Sequence, residues 1–105
     1  MNRNYEKGRR FEYWIKRQLE SENFCVLRSA GSHSVVDIVG FRQDSCLLVQ
    51  AKTTGETIAN ENDAFRKYQK EIESLAQLEV PEICRKQFWI KHKRGVVKLN
   101  VPQFQ

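Results

Sequence analysis

The sequence predicts an α/β fold, a mixed central β-sheet flanked by helices in the order α-β-β-β-α-β-β. Three observations lead there. Residues 4–22 and 61–78 carry apolar side chains at helical spacing. Cys46 to Lys52 is almost continuously apolar, the pattern of a strand covered on both faces. The other apolar runs are four to seven residues long and bounded by polar turns. With 105 residues, 40% hydrophobic and 30% charged, the chain reads as one domain over 1–105. Two prolines and five glycines leave no room for a long linker or a second, cofactor-binding domain.

In the first helix Phe11, Ile15 and Leu19 recur every four residues, and Trp14 widens the stripe. Asn23 is placed to end it in the left-handed conformation. Phe24 to Leu27 reads as a strand, and Arg28 to Ser34 as a small polar loop. Val35 to Phe41 and Cys46 to Lys52 read as a second and third strand, close enough to form a hairpin across Arg42 to Ser45. Thr53 to Asn60 is polar and irregular. Phe65, Tyr68, Ile72, Leu75 and Ala76 share one face of the second helix, which Pro81 bars from continuing. Gln87 to His92 and Val96 to Asn100 close the chain as two strands about a Lys93-Arg94-Gly95 turn. There the apolar Phe88, Trp89, Ile90 and Phe104 supply either core or a dimer face.

Lys and Arg number 18 against 13 Asp and Glu, a net charge of +5. On so small a domain this favours anionic partners, nucleic acid first, with a merely soluble basic protein as the alternative. Cys25, Cys46 and Cys84 include no CxxC pair, so they read as small core residues of a reducing compartment and not as a zinc site. The charged N-terminus lacks the apolar core of a signal peptide, and no run approaches the ~20 residues that span a membrane. The expectation is a soluble cytoplasmic protein with no membrane partner.

Three features converge on one chemistry. Asp37 is an acid within an otherwise apolar strand. Gln50 and Lys52 flank a small residue at the end of a buried strand, and alternation puts both on one face, which Asp37 also faces if the two strands pair. Glu12 lies about 20° from Leu19 on a helical wheel, at the edge of the apolar stripe, so it reaches inward over the sheet. Two carboxylates and an amide oxygen form a hard oxygen cage suited to Mg2+ or Mn2+. A lysine beside it can orient or deprotonate the attacking water and stabilise the charge developing on a phosphodiester. Taken singly, each residue has a bland reading: a strand-end hydrogen bond for Asp37, solvated strand-end polar groups for Gln50 and Lys52, a surface acid for Glu12. Their joint order and spacing carry the assignment.

Lys7-Gly8, Glu12, Arg28-Ser29-Ala30-Gly31-Ser32, Asp37-Ile38-Val39 and Gln50-Ala51-Lys52 together resemble the archaeal Holliday-junction resolvases of the PD-(D/E)XK nuclease superfamily. The motifs cover the first half of the chain. The second half is similar only in pattern, a basic amphipathic helix, a proline and two strands. The resemblance implies a restriction-endonuclease-like fold and metal-dependent DNA cleavage. By it, Asp37 is a metal ligand, Lys52 the catalytic lysine, Glu12 the helix carboxylate that supports the metal or its water, and Ser32 a loop serine near the scissile phosphate. The Ala51 carbonyl is a further candidate for the metal shell. Two departures stand out. Gln50 occupies the place of a glutamate, keeping an acceptor oxygen and losing one negative charge. The loop from His33 to Val36 is slightly longer than is usual.

DNA contact is expected from Lys7, Arg9, Arg10, Arg28, Arg66, Lys67 and Lys70, with Lys91, Lys93, Arg94 and Lys98 around the last hairpin. These are phosphate-type contacts, so recognition should follow DNA structure more than base sequence. The leading expectation is a Holliday-junction resolvase acting on four-way junctions as a C2 homodimer, one active site per strand cut. Two alternatives remain: a restriction- or repair-type nuclease on duplex, flap or single-stranded DNA, and a non-catalytic DNA-binding module of the same fold.

Overall fold

The computed structural model describes residues 3–29 and 34–103. Its elements are α1 (Arg3–Ser21), β1 (Cys25–Arg28), β2 (Ile38–Arg42), β3 (Ser45–Thr53), α2 (Glu61–Lys67), α3 (Gln69–Gln77), β4 (Cys84–His92) and β5 (Gly95–Val101). The five strands form one sheet in the order β1-β2-β3-β4-β5. Neighbours are antiparallel except β3 and β4, which run parallel. A parallel pair needs a crossover, and α2 with α3 supplies it. No helix among the described residues is long and apolar enough to cross a membrane.

Strict alternation along β3 builds two cores. Leu47 and Val49 join Phe11, Ile15 and Leu19 of α1, with Trp89, on one side of the sheet. Cys46 and Leu48 join Ile72 and Leu75 of α3, with Phe88, Ile90 and Leu99, on the other. The third strand is thus central and covered on both faces, as its apolar run predicts. Phe88, Trp89 and Ile90 are 0, 2 and 0% exposed, so they fill the two cores and form no dimer face. Phe104 lies outside the described residues.

Element ends follow from local hydrogen bonds. Asn23 takes φ 71°, Phe24 N–H donates to Leu19 O and Asn23 N–H to Glu20 O, the paired bonds of a Schellman cap. Phe24 then packs in the same core as Leu19. The second strand starts at Ile38 instead of Val35, because Val36 N–H turns onto Ser34 Oγ. The crossover helix bends at Tyr68 (φ −117°, ψ 30°). Its i→i−4 bonds Tyr68 N–H to Ala64 O and Ile72 N–H to Tyr68 O persist through the bend. The Tyr68 ring lies 5.4 Å from Phe88. β4 begins three residues before Gln87, at Cys84. There buried Lys86 points its ammonium at Ala76 O and Leu78 O, capping the end of α3.

Candidate active site

The site forms where the start of β2 and the C-terminal half of β3 meet α1. β2 pairs with β3 through Ile38↔Val49, and Asp37 N–H donates to Val49 O, so Asp37 stands across from Gln50. Asp37 Oδ2 accepts the Ala51 N–H at 2.8 Å, which fixes the carboxylate against the edge of β3. Burial raises the Asp37 pKa, a shift opposed by the Ala51 N–H, Lys52 and Arg28. The hairpin therefore brings Asp37, Gln50, Ala51 and Lys52 together.

Glu12 reaches the same place from α1 and is half-buried, as its position at the edge of the apolar stripe predicts. Burial and then the Asp37 charge raise its pKa, against the opposing effect of Arg28. Arg28 Nε donates to Glu12 Oε1 at 2.8 Å. The Arg28 guanidinium also lies 4.9 Å from the centre of the Tyr13 ring. Arg28, expected as a DNA contact, is thus the partner of Glu12. Residues 12 and 28 are brought together only by β1 packing beside α1, so no local periodicity signals the pair.

Gln50 is buried, 8% exposed, and its Oε1 has no hydrogen-bond partner among the described residues. A buried amide oxygen left unpaired costs about 1–3 kcal/mol. The cost is removed when the oxygen ligates a cation. Among the described residues no three His, Cys, Asp or Glu cluster closely enough to hold a metal ion. A metal would therefore draw on two carboxylates, Glu12 and Asp37, completed by neutral oxygens. Gln50, which stands across from Asp37 on β3, carries an unpaired oxygen of the kind a hard divalent ion takes. Thiol chemistry is remote: burial and the neighbouring Cys84 push the Cys46 pKa up to about 11.

The remaining expected contacts divide. Lys7, Arg9 and Arg10 lie exposed along α1, with Arg9 5.7 Å from the Tyr13 ring centre. Across the sheet, Arg66 pairs with Asp63 at 2.6 Å, and Lys67 lies 3.6 Å from Asp63 and 3.8 Å from Glu56. Lys70 is exposed on α3. Ser32 lies outside the described residues. Beyond Lys52, Thr53, Thr54, Lys91 and His92 join Lys7 and Arg10 around a cavity of about 370 Å³. In the sequence Thr53 and Thr54 fall in an irregular polar segment, and His92 carries no functional signal. The usable signal was the cation Lys91 at the end of a strand predicted to lie in the same sheet.

A family model described as archaeal Holliday junction resolvase (Hjc) matches residues 3–103. A crossover junction endodeoxyribonuclease Hjc from Methanocaldococcus jannaschii is 44% identical over 57 residues, 54% of this chain and 42% of that protein. The match thus spans about two fifths of the relative's length. The structure of Archaeoglobus fulgidus Hjc, a Holliday junction resolvase, superposes with a TM-score of 0.58 at 21% identity, covering 90% of this chain and 73% of that one. At that identity the likeness establishes a shared fold, which is the mixed α/β sheet the sequence predicts. The family match extends over nearly the whole chain, so the protein belongs to the archaeal Holliday junction resolvase (Hjc) family.

Proposed function

We propose that this chain is a metal-dependent DNA endonuclease that resolves four-way junctions as an intracellular homodimer. One observation carries the reading. Asp37 is held by the Ala51 amide at 2.8 Å, and Gln50, with its buried oxygen unpartnered among the described residues, stands across from it on β3. Names of the relatives and a net charge of +5 support the DNA substrate.

Glu12, Asp37 and Gln50, with the Ala51 carbonyl, are the oxygens that would hold Mg2+ or Mn2+. Such an ion supplies positive charge at the scissile phosphate and acidifies water. The protein's own groups do the rest. Asp37 is prevented from rotating by its bond to the Ala51 amide. Lys52 follows on the same strand, and its ammonium is the group that orients the attacking water and meets charge on the phosphate. Arg28 holds Glu12 Oε1 and leaves Oε2 for the ion or its water. Ser32 is the further candidate near the phosphate. Lys7, Arg9, Arg10 and Lys70 are the cations for the DNA backbone. Arg66 and Lys67 would first have to give up their carboxylate partners.

A second reading, a DNA-binding module without catalysis, has its own support: glutamine in place of glutamate at 50, and Glu12 engaged by Arg28. Incubation with a four-way junction, a matched duplex and a single strand, with and without Mg2+ or Mn2+, separates the readings. Metal-dependent cutting of the junction alone is expected. Equal cutting of duplex or single strand would move the enzyme to restriction or repair. Tight junction binding with no cutting under either metal would leave the binding module.

A further inference from the structure

The cavity beyond Lys52 is rich in hydrogen-bond donors. Lys7 and Arg10 reach it from α1, Thr53 and Thr54 from the end of β3, and Lys91 and His92 from β4. Among the described residues no acidic side chain lines it. Lys7, Arg10 and Lys91 form no ion pair with any described carboxylate, in contrast to Arg66 and Lys67. His92 Nδ1 accepts from Ile58 N–H at 3.2 Å and from Arg94 N–H at 3.4 Å. Its proton therefore sits on Nε2, which makes the ring a donor at its outer edge. Thr54 Oγ1 accepts the Glu56 N–H at 3.1 Å, so its hydroxyl hydrogen is left for another acceptor.

The walls are also preformed. Thr54 N–H donates to Lys91 O at 2.9 Å and Lys93 N–H to Glu56 O at 3.1 Å. With the Ile58–His92 bond, these pin the segment after β3 to the end of β4. Cations, hydroxyls and an imidazole N–H converging on one space suit a ligand that carries negative charge on several acceptor oxygens and no donor. A phosphodiester meets that description. The cavity's place names its source. Thr53 directly follows Lys52 on β3 and pairs with Lys91, so the cavity opens at the same end of β3 as Lys52, one residue further along the strand.

We propose that this cavity seats a phosphodiester of the cleaved DNA strand outside the scissile one and so fixes which bond lies over Asp37 and Lys52. The assignment rests on the nuclease reading above. Its test is read in binding, without divalent metal, so failure of the two can be told apart. Junctions carrying a single neutral methylphosphonate, moved one position at a time, are titrated against wild type and Lys91→Ala over a range of salt. In wild type one position outside the cut bond loses affinity when neutralised, and in Lys91→Ala that same position becomes insensitive. The slope of log affinity against log salt falls by about 1 in Lys91→Ala and in Lys7→Ala. It holds in Arg85→Ala, an exposed cation at the far end of β4. Thr54→Val, which leaves the charge unchanged, loses affinity at the same position. Sensitivity that persists in Lys91→Ala, or slopes equal to that of wild type, would overturn the assignment. A wild type that binds in this pattern and cuts nothing would overturn the nuclease reading and leave the phosphate seat standing.

Discussion

Gln50 joins burial, an unpaired oxygen and a missing charge at one position. With Glu12 and Asp37 the oxygen set carries a charge of about −2, where a glutamate at 50 would make it −3. The weaker set favours Mn2+, which tolerates less ideal geometry than Mg2+. Gln50→Glu is expected to lower the Mg2+ concentration needed for cutting, and Gln50→Ala to raise it most. Metal titrations of cleavage alongside thermal melts check this, and identical metal dependence in all three would remove Gln50 from the ligands. Asp37→Asn should abolish cleavage with junction binding intact or tighter, since it removes a ligand charge and a source of phosphate repulsion. A variant that cut at the wild-type rate would refute the assignment of Asp37. The same carboxylates set a pH dependence. Burial holds Glu12 and Asp37 above their unfolded pKa values. Between the unfolded and folded values the native state binds more protons, so stability without metal falls as pH rises through the ordinary carboxylate range, near pH 4, and beyond. Metal affinity moves the other way, because ligation requires the ionised form. Melts of wild type and Asp37→Asn across this range should show a smaller decline in the variant. Of this site, Asp37, Gln50 and Lys52 were legible from strand alternation and Glu12 from its helical angle. The Arg28 pair and the phosphate seat were not, because each joins elements distant in sequence.

Elements read well wherever their causes are local. The period of α1, the left-handed Asn23 and the β2–β3 hairpin all follow from residues within a few positions of one another. The bend at Tyr68 carries no proline or glycine signal, and what accompanies it is a tertiary contact with Phe88. The early start of β4 was hidden by Arg85 and Lys86, a charged pair that reads as loop until Lys86 meets the carbonyls at the end of α3. Packing between α1's end and the sheet gives a sharp test at Gly40. A Cβ there would stand 3.0 Å from Phe24 Cδ1 and 3.3 Å from Cγ. The ring has little room to retreat. Its backbone is fixed by the Schellman bonds, and the Arg42 guanidinium lies 4.0 Å from its centre. Gly40→Ala should destabilise the fold by about 1–3 kcal/mol. Phe24→Leu in the same chain should recover part of that loss. Urea midpoints of the single and double variants measure both, and an unshifted midpoint in Gly40→Ala would mean that the ring yields freely.

Over the whole molecule, the exposed aliphatic side chains gather away from the cations of α1. The cations without carboxylate partners that flank the site lie along α1 and the end of β4. α3 packs on β4 and β5 and leaves the same side of β1 and β2 open. There Leu27 is 60% and Phe41 44% exposed, beside Cys25, which pairs with Phe41 across the strands. Ile83, 61% exposed, accepts the Cys46 N–H through its carbonyl and extends the apolar surface at the Phe41 end. β1 is moreover an edge strand with a free side. A cluster of this kind on a small domain is the surface a second copy would cover. A two-fold pair also supplies the second active site that symmetric cutting of a junction requires. Light scattering at micromolar concentration should therefore give twice the 12.4 kDa of one chain. Leu27→Lys with Phe41→Lys should give a monomer whose melting temperature, once the dimer contribution is allowed for, is little changed, since both side chains are already solvated in one subunit. On a plasmid bearing an extruded cruciform, wild type should make paired cuts and yield linear product. The monomeric variant should yield nicked circles, one strand at a time. A wild type that is monomeric yet still makes paired cuts would separate this apolar face from catalysis, and a variant that stays dimeric would place the interface elsewhere.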